Sequence, residues 1–410
     1  MLAEHGNISV GIDLGRDYSQ IAFCSKSDRA PLMVMQSEEE KEENDYLIRT
    51  PVDLFSLVER KDARGVEVLY QFLKECFALL KGAGSVEHMT VMVTMHEMKG
   101  IWADVIRTAL LKLGIPSSAI FLQGHLESFY AYLMNQKKEL LTYHVALLEY
   151  ERDCITAWHF WLERKTKPVL AKTEKCFRLY LDNKARKGRG DEEWGILRDS
   201  LLHKNLEKMF ENTPFSAVYL VGREFEGEWM DKSFRFLCRK RRSFRGDNLY
   251  TMGACYAAME ENGATACKDT LYLSDDMIQH NLGMWMEIRG QEGYYPLVNA
   301  GINWYMARHT CEFLLERSGE KKWNTPWLLA SFRIDRDGQP DCGSTFPLPH
   351  RTDAGCGRRI LDLVNCIRLP VKSGKQISAF PEKGRKGRND GNVSVVSCES
   401  GETSVLYREY

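Results

Sequence analysis

The run GIDLGRDYSQIAFCS, residues 11–25, decides how this chain is read. It is an apolar strand ending on Asp13, a turn at Gly15, and a second apolar strand centred on Ile21–Cys24. Such a hairpin presents backbone N–H groups at its turn, which suit phosphate oxygens, and its carboxylate suits a hydrated Mg²⁺. Asp-x-Gly turns also close ordinary hairpins, so the order of the elements around this one must discriminate.

Working outward, hydrophobic periodicity divides the first 265 or so residues into two similar halves. In the first, strand Ile8–Leu14, strand Ile21–Cys24 and a third run, Pro31–Gln36, precede an acidic stretch, Ser37–Asp45, that reads as a solvated loop. A helix over Val66–Lys81 puts Val66, Leu69, Leu73, Cys76 and Leu80 on one face, and Gly82 ends it. Strand His88–Met95 leads to a helix carrying Ile101, Val105, Ala109 and Leu113, stopped by Gly114 and Pro116. Strand Ala119–Leu122 and helix Leu126–Gln136 follow.

The second half repeats the order. Strands His144–Glu149, Cys154–Trp161 and Val169–Leu181 come first. A basic loop, NKARKGRG, then meets Asp191, predicted to cap a helix that buries Trp194, Leu197, Leu201 and Leu206. Strand Ala217–Val221, a helix near Glu226–Leu237 and a last helix from Asp247 through Ala258 complete it. Because helices join the later strands, parallel pairing is expected.

Beyond Asp269 short strand-like runs take over: Met284–Ile288, Trp304–His309, Trp327–Ile334, Ile360–Arg368 and Val393–Cys398. Four of the nine Trp lie there, which suits a two-layered β core. PEKGRKGRNDG, from Pro381, reads as a basic connection between strands. The predicted domains are 1–140, 141–266 and a β-rich, sandwich-like 267–410.

Composition sets the outer bounds. Of 410 residues 44% are hydrophobic and 11% aromatic, enough to fill sizeable cores. Lys and Arg (56) nearly balance Asp and Glu (57), leaving −1, which excludes a global drive toward nucleic acid or anionic membrane. The charge is local instead, basic at Lys184–Arg189 and Arg239–Arg245. No run approaches the ~18–20 apolar residues of a spanning helix. A soluble, cytoplasmic chain is expected, with no membrane span and no nucleic-acid partner. Twelve cysteines include no CxxC pair, so they read as small buried hydrophobes in a reducing compartment.

With the order of elements in hand, the chain resembles the nucleotide-binding fold shared by actin, DnaK-type chaperones and sugar kinases. The matching segments are the first hairpin, TVMVTMHEMKGIWADVIRTALLKLGI from Thr90, ESFYAY from Glu127, AVYLVGREF from Ala217 and GDNLYTMGACYAAM from Gly246. The resemblance covers about Asn7–Ala266 and implies a duplicated, ribonuclease H-like βββαβα fold in two lobes, in a divergent bacterial-type member. It implies ATP or ADP with Mg²⁺, held by a first phosphate loop at Asp13, Gly15, Arg16, Asp17 and Tyr18. A second loop follows Glu149, with Asp13 and Glu149 on the metal through water. An adenosine loop would lie at Gly222 and Arg223, with Gly253 a small packing position on the closing helix.

The departures bear on activity. Asp17 brings negative charge toward phosphate unless Arg16 or a metal offsets it. The second loop reads LEYERD with no Gly, which crowds a backbone cradle. Glu127 stands where the family places a polar residue near the attacking water, or is a plain helix-surface residue; Asp13 and Glu149 are the other catalytic candidates. Lys99 reads as exposed, and His144 and His159 as structural. CRKRRSFRG, with five Arg or Lys in seven residues, reads as a solvated loop, the alternative being an anion or nucleic-acid contact. The leading expectation is a chaperone-like or scaffold protein with weak or absent ATP hydrolysis and a C-terminal β domain that takes a protein or peptide partner. The alternatives are an active Mg²⁺-dependent ATPase or phosphotransferase, and a nucleotide-independent module that self-assembles.

Overall fold

A computed structural model describes residues 8–25, 28–36, 46–80, 84–181, 186–263 and 270–274. It also describes 276–277, 301–303, 305–306 and the backbone of six strands between Leu282 and Tyr407. The chain divides into two compact units, Met1–Ser274 and Asp275–Tyr410.

The first unit holds two sheets of one topology. In lobe I, β1 (Ile8–Asp13) pairs antiparallel with β2 (Tyr18–Ser25), and β2 with the two-residue β3 (Leu32–Met33) and β4 (Ile48–Arg49). On its other side β1 runs parallel to β5 (Met89–Met95), and β5 parallel to β6 (Ile120–Gly124). Helices α1 (Leu54–Glu59), α2 (Arg64–Ala78), α3 (Gly100–Lys112) and α4 (His125–Met134) fill the connections. In lobe II, β7 (His144–Glu151) takes the place of β1. It pairs antiparallel with β8 (Cys154–Glu163), which pairs with β9 (Val169–Tyr180). On the far side it runs parallel to β10 (Phe215–Val221), and β10 to β11 (Arg242–Arg245). Between them lie α5 (Asp191–Phe210), α6 (Asp231–Leu237) and α7 (Leu249–Glu261). The strand orders β3-β2-β1-β5-β6 and β9-β8-β7-β10-β11 are the same pattern twice. The first strand of each half is central, with antiparallel partners on one side and parallel ones on the other. That is the duplicated, ribonuclease H-like topology of the actin-like ATPase fold.

The last helix ties the lobes together. Gly11, in the middle of β1, faces it so closely that a Cβ would lie 2.2 Å from the Cys255 nitrogen. On the other side of α7, a Cβ on Gly253 would lie 1.9 Å from the Ser128 carbonyl oxygen of α4. The helix thus carries Cys255 onto Ala22 and Cys24, and Ala254 and Ala258 onto Met92, in lobe I. Helix α4 turns Phe129 the other way, edge-on to Phe160 and Tyr219 of lobe II. Both helices bury small or aromatic residues against the sheet of one lobe while touching each other, which fixes the cleft between the strand ends.

Several expectations need correcting. The third strand of lobe I is two residues long, and α1 was not foreseen because six residues give too little periodicity. Asp191 is the first residue of α5 rather than its cap, which is Gly190. Helix α6 starts at Asp231, not Glu226, because the Asp199 carboxylate accepts from the backbone N–H groups of Lys232 and Ser233 at 2.8 and 2.9 Å. The basic run around Arg242 is not a loop. It forms β11, an edge strand where cationic side chains are tolerated, with Phe244 stacked on Tyr219 at 4.9 Å.

Beyond residue 266 the chain still belongs to the first unit, since β12 (Thr270–Tyr272) runs parallel to β9. In the second unit β13 (Leu282–Ile288) pairs with β14 (Gln291–Val298). A four-stranded antiparallel sheet has the order β16 (Leu328–Arg333), β15 (Arg308–Leu314), β18 (Gly401–Tyr407), β17 (Ser394–Cys398). The acidic stretch at Ser37–Asp45, the run Ile360–Arg368 and the basic connection from Pro381 lie outside the described residues, as do Lys184 and Ala185 of the loop Lys184–Arg189. No described helix is long and apolar enough to cross a membrane.

Candidate functional site

Parallel strands deliver their carboxyl ends to one edge of a sheet, and ligands of open α/β folds gather there. Here both lobes do so toward one cleft of about 670 Å³. Asp13 ends β1, His96 follows β5, His125 follows β6 as the first residue of α4, Glu149 lies near the end of β7, and Gly222 follows β10. All five line the cleft, with Tyr250 from the first turn of α7.

At its floor the two lobes are joined by His125. Its Nε2 lies 2.8 Å from Asp13 Oδ1 and its Nδ1 3.3 Å from Glu149 Oε1, while its ring stacks on Tyr250 with centroids 3.9 Å apart. On the other side of Glu149, His96 Nδ1 lies 3.2 Å from Oε2, and 3.8 Å from the Glu151 carboxylate. Asp13, Glu149 and Tyr250 are buried, and His96 is exposed to the cleft.

Burial alone would favour neutral His125. The Asp13 charge and hydrogen bond, joined by Glu149, win instead and push its pKa up to about 10. Glu149 answers in kind: burial would raise its pKa, but the His125 and His96 contacts hold it well below the usual carboxylate range. His96 is raised chiefly by its contact with Glu149. Tyr250 is pushed up by burial and then by the Glu149 charge, yet its hydroxyl makes no hydrogen bond of ordinary geometry. At the rim Asp247 accepts from the Gly222 N–H at 3.1 Å, and burial raises its pKa and that of Glu224. Carboxylates outnumber Arg and Lys on the cleft wall by nine to four.

Most residues expected from the sequence meet here. Gly15 closes the first turn, where a Cβ would lie 2.1 Å from the Tyr18 carbonyl oxygen. Arg16, Asp17 and Tyr18 are exposed at the rim. Arg16 is turned to Glu59 at 2.6 Å and lies over the Phe55 ring, while Arg223 lies over Tyr18. Gly222 takes φ +117°, and a Cβ there would meet the Tyr150 carbonyl oxygen at 2.1 Å. The second turn closes without glycine because Arg152 adopts φ +55°. Lys99 lines the cleft and approaches Glu97 at 3.5 Å.

Two of the expected residues are elsewhere. Glu127 does not line the cleft: its Oε2 accepts from the Gly124 N–H and its Oε1 from the Ser274 hydroxyl, so it caps α4. Gly253 sits at the crossing of α7 and α4. His144 stacks on Trp161 and His159 faces Glu174, both within lobe II. Sequence reasoning missed His96, His125, Tyr250 and Asp247. The available signal was position: both histidines are the first residues after apolar parallel strands.

A hydrated Mg²⁺ between Asp13 and Glu149 does not fit these residues as they stand. The His125 ring occupies the space between the two carboxylates, and the second carboxylate is engaged by His96 as well. Mg²⁺ prefers all-oxygen octahedra with retained water, not imidazole nitrogen.

Among solved structures the chain is similar to the Aquifex aeolicus Ppx/GppA phosphatase, type II variant. The identity is 14% over 53% of this chain and 67% of that one, with a TM-score of 0.34. It is similar also to the ROK hexokinase of Thermus thermophilus, with 12% identity over 63% of this chain and all of that one, at 0.38. A pCBH ParM non-polymerisable quadruple mutant gives 10% identity over 62% and 99%, at 0.38. At such identities and scores these add nothing to what the strand order establishes. No curated protein matches the sequence. Residues 277–322 match a domain of unknown function, DUF8552. Residues 53–275, more than half of the chain, match the C-terminal model of a family of unknown function, DUF5716, and to that family the chain belongs.

Proposed function

We propose that this is a nucleotide-binding protein of the actin-like ATPase fold that responds to ATP or ADP with weak or absent hydrolysis, and so serves a scaffold or chaperone-like role. The observation that carries the reading is the meeting of three turns, one from each hairpin and one at Gly222, around a single inter-lobe cleft of about 670 Å³. That volume suits a nucleotide-sized ligand. The adenosine side would be Val221–Glu224 with Asp247, and the phosphate side the turns at Gly15 and Arg152. Weak hydrolysis follows from the floor. A Mg²⁺ carried in by phosphates would have to be met by Asp13 and Glu149, which His125 already engages, and the carboxylate excess opposes phosphate charge. We assign a protein or peptide partner to the β-rich second unit, an assignment that rests on the order of the units alone.

Calorimetry with ATP and ADP, with and without Mg²⁺, tests the reading. Binding is expected, with phosphate release far below the ~1–10³ s⁻¹ of ordinary enzymes. No heat at millimolar nucleotide would end it. Brisk turnover that is abolished by Glu149→Gln would replace it with a phosphotransferase.

A further inference from the structure

The geometry points to a binding site for a borderline divalent cation of the Zn²⁺ type, held by His96, His125 and Glu149 at the floor of the cleft. These three offer ligand atoms that all lie within 4.8 Å of one another. Two imidazole nitrogens and one carboxylate are a donor set for Zn²⁺, Co²⁺ or Fe²⁺ rather than for Mg²⁺. All its ligands are protein side chains, so binding does not require nucleotide.

The separations leave room for a cation among these groups. His125 Nε2 meets Asp13 at 2.8 Å, the length of a charge-assisted N–H···O bond. The other two contacts, from His125 Nδ1 and His96 Nδ1 to the two oxygens of Glu149, are 3.3 and 3.2 Å. Those are long for such a bond. Each is close to the edge of a tetrahedron with bonds of about 2.05 Å, about 3.3 Å, so either Glu149 oxygen can share a cation with the imidazole nearest it. With Nε2–H given to Asp13 and the Nδ1 proton displaced by the cation, His125 offers Nδ1 beside His96 Nδ1 and the Glu149 carboxylate, all within 4.8 Å of one another. Three acceptors then converge where one cation can serve all of them. Asp13 completes the carboxylate–histidine–metal relay that fixes the tautomer and orientation of a ligating imidazole. It acts here as a positioning residue.

Tyr250 packs against the same imidazole. It is 2% exposed, its ring stacks on His125, and its buried hydroxyl lies beside the Glu149 carboxylate without a hydrogen bond of ordinary geometry. The fourth position of such a site is open to water. The Glu151 carboxylate, 3.8 Å from His96 Nδ1, is the protein's own candidate for that position.

Chelator-treated full-length protein titrated with Zn²⁺, Co²⁺ and Mg²⁺ tests the site. One Zn²⁺ per chain is expected, with affinity at least about 100-fold above that for Mg²⁺, and Co²⁺ should give the intense visible bands of a four-coordinate ion. His96→Ala, at an exposed position, should keep the fold by circular dichroism, lose those bands and bind Zn²⁺ at least about 100-fold more weakly. Asp13→Asn should weaken binding by about 10–100-fold while keeping the bands. Co²⁺ bands that persist unchanged in His96→Ala would place the metal on cysteines elsewhere and overturn the assignment. So would Mg²⁺ competing with Zn²⁺ at equal concentration, or the absence of Zn²⁺ binding in the native chain.

Discussion

Lobe I and lobe II share one strand order and part ways at the end of the first hairpin. Lobe I closes its turn with Gly15, tucked under the Tyr18 carbonyl, and ends its central strand on Asp13. Lobe II closes its turn with Arg152 in the left-handed region and carries Glu149. The duplication therefore preserved what the sheet needs, an apolar strand turning back on itself, and left the chemistry of the two ends free to diverge. The lobes do not meet through matched phosphate loops. They meet through a histidine that belongs to lobe I by sequence and holds a carboxylate from each.

The sharpest way to break that comparison is to titrate the shared centre. In chelator-treated protein the folded-state pKa of His125, pushed up to about 10, exceeds the ordinary value near 6.5. Its stabilisation is therefore full below about pH 6.5 and is lost as pH rises toward 10. The loss should be on the order of 3–5 kcal/mol. Urea unfolding at pH 6, 8 and 9.5 should show this fall, and His125→Gln should flatten it. An equal slope in both proteins would mean that the centre does not couple the lobes.

Next in size is the helix that spans both lobes. Gly253→Val drives a side chain into the Ser128 backbone, where even a Cβ would lie 1.9 Å from the carbonyl oxygen. Neither backbone can yield cheaply, so a cost of about 3 kcal/mol is expected in the urea midpoint. A neutral result would show that α7 and α4 are not in contact.

The smallest effect sharpens the contrast between the turns. Arg152→Gly gives lobe II the residue its φ of +55° favours. Relief of the left-handed strain outweighs the entropy that Gly loses on folding, for a gain of about 0.5–1 kcal/mol in thermal unfolding. A loss instead would mean that the Arg152 side chain holds the turn.

Much of the fold was legible because burial writes itself into periodicity. Ile8–Leu14, His88–Met95 and Ala217–Val221 are uninterrupted apolar runs, as strands covered on both faces must be. Strand β11 was not legible, because Arg239–Arg245 carries the composition of a solvated loop. A sheet edge tolerates that composition, and only the partner strand β10 makes it a strand. In the site, Asp13, Glu149 and Gly222 could be read because each ends or follows a recognisable strand. His96 and His125 sit at equivalent strand ends, but no local pattern tells a ligand from a structural histidine. Glu127 misled for the complementary reason: a carboxylate on the first turn of a helix serves its own backbone whenever it can reach it.

By itself the sequence determined the two halves, their element types and the parallel pairing, since those follow from short-range periodicity and from helices too long to be hairpin turns. Only the tertiary structure decided the site. The distance from Asp13 to Glu149 is set by how α7 and α4 cross at Gly253, and the chemistry of the cleft by the single ring placed between them. Residues 13, 96, 125, 149 and 250 lie far apart along the chain. They become one centre because parallel strands from two sheets deliver their ends to the same place.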